Sequence, residues 1–243
     1  MDAVLGALTA AGSGVIAGSM LLVGAVIAWL AKVPAGVVAG IMAFGAGVLI
    51  SALAYELVEE AHADGGLVPT VLGFALGAVI YVGADWVIDA RARRAGGDEP
   101  SGTALLVGAL VDGIPESIVL GTSVAATGGL SLPIVIAIAI SNLPEGLSST
   151  AGMRDAGRSA RYVFGVWGSV VAVSGLAALL GYLLLRDAPA ELIAFITTIA
   201  AGGILAMVCN TMIPTAFARD NKVTGLLATL GFLTAFTISH LSP

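Results

Sequence analysis

The chain has 243 residues, a mean hydropathy of +1.03 and charged side chains at only 11% of positions, where a soluble domain is about a quarter charged. Hydrophobicity is spread over the whole length, which predicts one integral membrane domain over 1–243 and excludes a soluble appendage. The formal net charge of −6 offers no basic face to nucleic acid, and the single cysteine, Cys209, excludes an internal disulfide and any cysteine-rich metal site.

A helix that crosses a bilayer needs about 20 apolar residues. Eight stretches meet this: 3–30, 35–58, 67–89, 103–126, 131–152, 161–185, 190–217 and 223–241. The predicted fold class is therefore an all-α membrane protein with eight transmembrane helices. Span one follows Met1-Asp2 without a basic leader and reads as a membrane helix rather than a cleaved signal. Lys32-Val33-Pro34 closes it. Span two ends among acids: Glu56, then Glu59, Glu60, His62 and Asp64. Asp64-Gly65-Gly66 leads into span three, whose far end carries Asp85 and Asp89 beside Arg91 and Arg93. Gly96 to Gly102 separates spans three and four, and a short Thr127-Gly128-Gly129 turn joins spans four and five. Gly152 to Gly157, Asp187-Ala188-Pro189 and Arg219 to Lys222 punctuate the remaining spans. Trp29, Trp86 and Trp167 fall near predicted interfaces and read as anchors, as does His240 at the end of span eight.

Basic residues set the orientation. Lys32, Arg91, Arg93, Arg94, Arg154, Arg158, Arg161, Arg219 and Lys222 all follow odd-numbered spans, and only Arg186 follows an even one. The basic side is cytoplasmic by the positive-inside rule. A multi-pass protein of the inner (plasma) membrane is expected, with both termini extracytoplasmic and an acidic outer mouth at Glu59, Glu60 and Asp64 that would concentrate cations. Ordinary interfacial charge explains the same residues.

A faint internal echo accompanies the spans. Leu72-Gly73-Phe74 resembles Leu230-Gly231-Phe232, and Ala46-Gly47-Val48-Leu49 resembles Gly202-Gly203-Ile204-Leu205. Spans 1–3 and 6–8 would then be inverted repeats around spans four and five, a 3+2+3 arrangement with a binding site near the midplane. Glycines in every span let helices approach closely. They fit a sliding bundle, a static tight pack or a homodimer contact equally.

Two polar motifs interrupt spans four and five: Asp112-Gly113-Ile114-Pro115-Glu116 and Ser141-Asn142-Leu143-Pro144-Glu145-Gly146. An ionised carboxylate there costs roughly 2.5–3.5 kcal/mol on insertion scales. Asp112 and Glu116 share a helix face, and so do Ser141 and Glu145. Each proline removes an amide donor and frees a carbonyl, that of Val111 or Ile140. Two facing kinked helices then gather Asp112, Glu116, Ser141 and Glu145 as oxygen donors, with Asn142 able to add an amide oxygen. Three carboxylates so close would bind a cation or take up a proton. The plainer alternative is a pair of kinked helices whose glutamates only hydrogen-bond each other; for Asn142, an interhelical amide bond is the plainer role.

The two motifs resemble those of the ZIP family of divalent-metal transporters, whose fourth and fifth spans carry His-Asn-x-Pro-Glu-Gly and a close variant. Glu56-Leu57-Val58-Glu59-Glu60-Ala61 resembles that family's His-Leu-Leu-Pro-Glu-Ala, and Thr211-Met212-Ile213-Pro214-Thr215 its Glu-Leu-Ile-Pro-Glu. The resemblance covers nearly the whole chain and implies divalent-metal uptake toward the cytoplasm, with Zn²⁺, Mn²⁺, Fe²⁺ or Cd²⁺ as the transported substrate and membrane lipid as the surrounding partner. It implies a metal site at Asp112, Glu116, Ser141 and Glu145, with Asn142 and Glu145 the remnant of a second site. Glu56, Glu60, His62 and Thr211 are the expected pathway residues.

The departures are specific. Asp112 and Ser141 replace both motif histidines, Gly113 replaces an asparagine, and Thr211 and Thr215 stand where glutamates are usual. An all-oxygen site suits Mn²⁺, Mg²⁺ or Ca²⁺ better than Zn²⁺. Two other readings compete: a ZIP-like protein with little or no transport activity, and a cation exchanger of another class, whose acidic motifs would lie in separate halves of the chain. No enzyme activity is expected, because no paired nucleophile or cofactor motif accompanies the acids and Ser141 has no histidine nearby.

Overall fold

A computed structural model describes residues 3–94, 102–218 and 223–241. The side chains of Asp89, of residues 91–94 and 102–109, and of Asp112 lie outside the described set, as do Arg219 and Lys222. The chain forms α1 (Ala3–Leu30), α2 (Ala35–Gly65), α3 (Leu67–Arg94), α4 (Gly102–Thr127), α5 (Leu132–Asp155), α6 (Ala160–Leu185), α7 (Ala190–Phe217) and α8 (Thr224–Leu241). Among the described residues, seven of these, all but α4, are long and apolar enough to cross a membrane. The hydropathy reading places every helix. It ends α2 seven residues early, at 58, because the last two turns are polar; the helix runs on to Gly65 and stops where Gly66 takes φ +85°.

The helices pack as two groups of four. In one, α1 lies against α5 and α6, and α6 against α4; in the other, α3 lies on α7 and α8 on α2. Each of four helix pairs is joined by glycines that press on the neighbouring backbone. A β-carbon on Gly24 of α1 would stand 2.3 Å from the Leu143 carbonyl oxygen, and one on Gly146 of α5 would stand 2.2 Å from that of Leu21. Gly121 of α4 presses on α6 from one side, 2.1 Å from the Ala178 carbonyl oxygen against 3.1 Å for Gly181 from that of Ile118. The full reciprocal contact joins Gly77 of α3 to Gly202 of α7 and Gly47 of α2 to Gly231 of α8, at 1.8–2.0 Å. Only a hydrogen fits at the shortest of these distances, which lets backbones touch and Cα–H groups meet carbonyls in the way small-residue membrane pairs do. Between the groups the fit is looser: a β-carbon on Gly45 would sit 3.4 Å from Ser141, and one on Gly203 3.9 Å from Pro115.

Helices α2 and α7 share a further irregularity. Each begins at a proline N-cap, Pro34 or Pro189, runs for 18 α-helical residues and then widens into a π-turn, Leu53–Val58 in α2 and Val208–Met212 in α7. In α7 the turn precedes Pro214, whose missing amide explains it. In α2 the corresponding place is Glu59, and the turn forms without a proline. Such π-turns gather at functional sites.

Trp167 corrects a sequence expectation. It is no interfacial anchor: it is 1% exposed, and its Nε1 donates to Thr150 Oγ1 at 2.8 Å, tying α6 to α5. Trp29 stacks edge-on against Phe164, and Trp86 is exposed, as expected of interfacial rings. Trp167→Phe is expected to lower stability by about 1 kcal/mol, the net worth of one buried hydrogen bond. Thermal unfolding in detergent, compared with Thr150→Val alone and combined, checks that the two losses are not additive.

Candidate metal centre and its approaches

The two Pro-Glu motifs do meet. Both α4 and α5 continue through Pro115 and Pro144. Glu116 is 2% exposed, and the Ser141 hydroxyl lies 3.4 Å from its Oε1, bridging the two helices. Ser141 also donates to the Ile138 carbonyl at 2.9 Å, and Ser117 donates to that of Gly113 at 2.6 Å. Polar side chains thus serve backbone carbonyls on both sides of the contact. Glu145 is half-buried on the next turn of α5. Asp112 lies one turn before Glu116 on α4, and its side chain falls outside the described residues. Among the described residues, no three His, Cys, Asp or Glu side chains converge closely enough to hold a metal ion. Of the expected oxygen donors, Glu116 and Ser141 are in contact across the two helices.

Asn142 takes the interhelical role. It is buried, and its Nδ2 donates 3.0 Å to the Ala17 carbonyl of α1. That bond runs beside the Gly24–Gly146 contact and fixes α5 against α1.

Two chambers approach the Glu116–Ser141 pair from opposite ends. The first, about 310 Å³, is walled by α2, α4, α5 and α7 and includes Glu56, Glu60, Asp64, Thr122 and Ser123. The second, about 500 Å³, lies at the other end and includes Lys32, Ser148, Arg154, Asp155 and Thr215. Neither is lined by Glu116, Ser141 or Glu145. On α5 the first chamber reaches Ile134 and the second begins at Leu147, so roughly 20 Å of helix, at 1.5 Å per residue, separates them. Met42, Leu49, Leu53, Leu120, Ile138, Ile204 and Met207 belong to the apolar core and line neither chamber. The Glu116–Ser141 pair sits inside this plug.

Of the expected pathway residues, Glu56 and Glu60 line the first chamber, and Ser239 of α8 donates a short hydrogen bond to Glu56. His62 is exposed and lines neither chamber. Thr211 also lines neither; its hydroxyl lies 3.5 Å from the Tyr81 hydroxyl, between α7 and α3. Thr215, one turn later, does line the second chamber. Asp64, expected at the acidic mouth, lines the first chamber with Glu56 and Glu60, its spacing from Glu60 repeating that of Glu60 from Glu56. Ser123 carries no sequence signal at all.

Charge differs sharply between the ends. Glu56, Glu60 and Asp64 line the first chamber, with Glu59 at the same end outside its wall, while Lys32, Arg154, Arg158 and Arg161 lie at the end that holds the second. Arg154 donates to the Ala28 carbonyl at the end of α1, which holds the guanidinium at the chamber wall. In comparisons with known proteins, no family model and no curated protein matched the chain.

Proposed function

We propose that the chain is a divalent-cation carrier of the ZIP kind, moving its substrate toward the cytoplasm through the centre at Glu116, Ser141 and Glu145, with Asp112 contributing from the preceding turn of α4. The observation that carries this reading is a buried carboxylate, Glu116, shared with a neighbouring helix in a plug between two chambers that open toward opposite ends. A buried acid in a membrane helix is costly and is kept for ion or proton traffic by default. With the basic end cytoplasmic, the acidic chamber faces outward, the membrane is the inner (plasma) membrane and both termini are extracytoplasmic.

An inverted 3+2+3 repeat accounts for the chambers. Ala190, Ile193 and Ala194 line the acidic one and Ala35, Val38 and Ala39 the basic one, at a constant offset between α7 and α2. Val119, Thr122, Ala125 and Ala126 of α4 answer Ser148, Ala151, Arg154 and Asp155 of α5 at the offset that pairs Glu116 with Glu145. The π-turns of α2 and α7, and Gly47 and Gly202, fall on the same correspondence. Repeats of opposite orientation with a midplane site are a carrier's architecture.

The all-oxygen donor set favours Mn²⁺ over Zn²⁺. Uptake of radioactive Mn²⁺ and Zn²⁺ into proteoliposomes tests both activity and preference. Mn²⁺ is expected to be taken up in preference, and Ser141→His, which supplies imidazole beside Glu116, to shift the preference at least tenfold toward Zn²⁺. No uptake of either metal by well-folded protein would replace this reading with that of a ZIP-like protein without transport.

A further inference from the structure

We infer that the acidic chamber is a binding site in its own right, and that it takes a divalent cation still wearing its water shell. Glu56, Glu60 and Asp64 stand one turn apart along α2, so their carboxylates follow one wall of the chamber. They are spread along the wall and do not converge on a point where a bare ion could be ligated. The chamber, at about 310 Å³, has room for on the order of ten waters at about 30 Å³ each, enough for an ion and its six first-shell waters. Divalent ions such as Mg²⁺ give up those waters reluctantly. A hydrated ion presents only outward-pointing O–H groups, so its ideal host is a wall of acceptors.

Ser123 supplies the independent sign of a ligand. It is 8% exposed, it lines the chamber, and its Oγ is buried with no hydrogen-bond partner. Serines and threonines elsewhere in these helices give their hydroxyls to a carbonyl three or four residues back, as Ser13, Ser117, Ser141 and Ser169 do. Ser123 does not. A buried hydroxyl left without a partner costs free energy, and the Ser123 oxygen can accept an O–H from the shell of a bound ion. The carboxylate of Glu56 is held by Ser239, so the deepest acid is oriented before the ion arrives. At the other end Lys32 and Arg154 outnumber the one acid of the wall, Asp155, and Thr215 stands at the place that corresponds to Glu60. The row of acceptors that suits a hydrated cation is thus found at the first chamber. The inference rests on the carrier reading for its role in transport, but the binding itself stands apart from the central pair.

Hexaamminecobalt(III), whose six ligands do not exchange, serves as the probe, since it can be bound only through its shell. Isothermal titration of the detergent-solubilised full chain is expected to give one saturable site. Glu56→Gln combined with Glu60→Gln should weaken it at least tenfold and Ser123→Ala about threefold. Glu59→Gln, next to Glu60 but outside the chamber wall, should change it less than twofold. Glu116→Gln should leave it unchanged, so a failed central site does not disturb the result. Binding of Mn²⁺ without binding of the hexaammine would overturn the inference, because the site would then need a stripped ion. Equal weakening by Glu59→Gln and Glu60→Gln would overturn it too, by reducing the effect to general surface charge.

Discussion

Glu116→Gln is expected to abolish divalent-cation uptake while leaving the fold intact. Glutamine has the volume of glutamate and keeps an oxygen that can meet the Ser141 hydroxyl, now 3.4 Å from the carboxylate. The 2% exposed position therefore stays filled and hydrogen-bonded. What disappears is the charge. A unit charge pair 4 Å apart is worth about 4 kcal/mol at an effective dielectric of 20, and a divalent ion feels it twice. Even a third of that is a loss of about a hundredfold in affinity. Uptake into proteoliposomes should fall by at least that factor, with helix content and elution volume unchanged. Uptake retained within threefold would remove Glu116 from the pathway and with it the proposed centre.

Gly146→Ala should do the opposite: damage the fold first and transport as a consequence. The added methyl would stand 2.2 Å from the Leu21 carbonyl oxygen, which is backbone and cannot rotate away. The helices α1 and α5 must separate, and the Asn142 bond to Ala17 lengthens with them. Overpacking of this kind typically costs 1–3 kcal/mol, and for a chain of this size each kcal/mol is about 2–4 °C of unfolding temperature. A drop of roughly 5–10 °C is expected in detergent. Gly165→Ala, where nothing lies within 4 Å of the added carbon, should cost nothing. The contrast also explains the glycine of the Pro-Glu-Gly motif: it packs one helix on another.

Much of this was legible from residue types alone. Membrane helices announce themselves by length and hydropathy, and all eight fall where the apolar runs lie. The meeting of Glu116 with Ser141 follows from two motifs on consecutive spans joined by a four-residue turn. What stayed hidden depends on register. The internal echo set Gly47 against Gly203, yet it is Gly202 that presses on a backbone carbonyl as Gly47 does, at 2.0 Å and 1.9 Å. Hydropathy is blind to a shift of one among adjacent glycines. The π-turn in α2 lacks a proline to betray it. Trp167 looked interfacial because aromatic belts are the default for tryptophan, and only the facing Thr150 reveals a buried donor. Ser123 differs from its many neighbours only by the bond it does not make.

Stiffness is distributed unevenly in this bundle. All four glycine-to-carbonyl locks lie within one or the other group of four helices, and the surface between the groups has only the looser fit at Gly45 and Gly203. Relative displacement is cheapest there, as a slip of one block past the other rather than a bending of helices. Each block owns part of the wall of both chambers: α2 and α7 belong to one, α4 and α5 to the other. A slide of a few ångströms along that plane would pinch one antechamber as it dilates its counterpart, with the Glu116–Ser141 pair riding unbroken inside its own block.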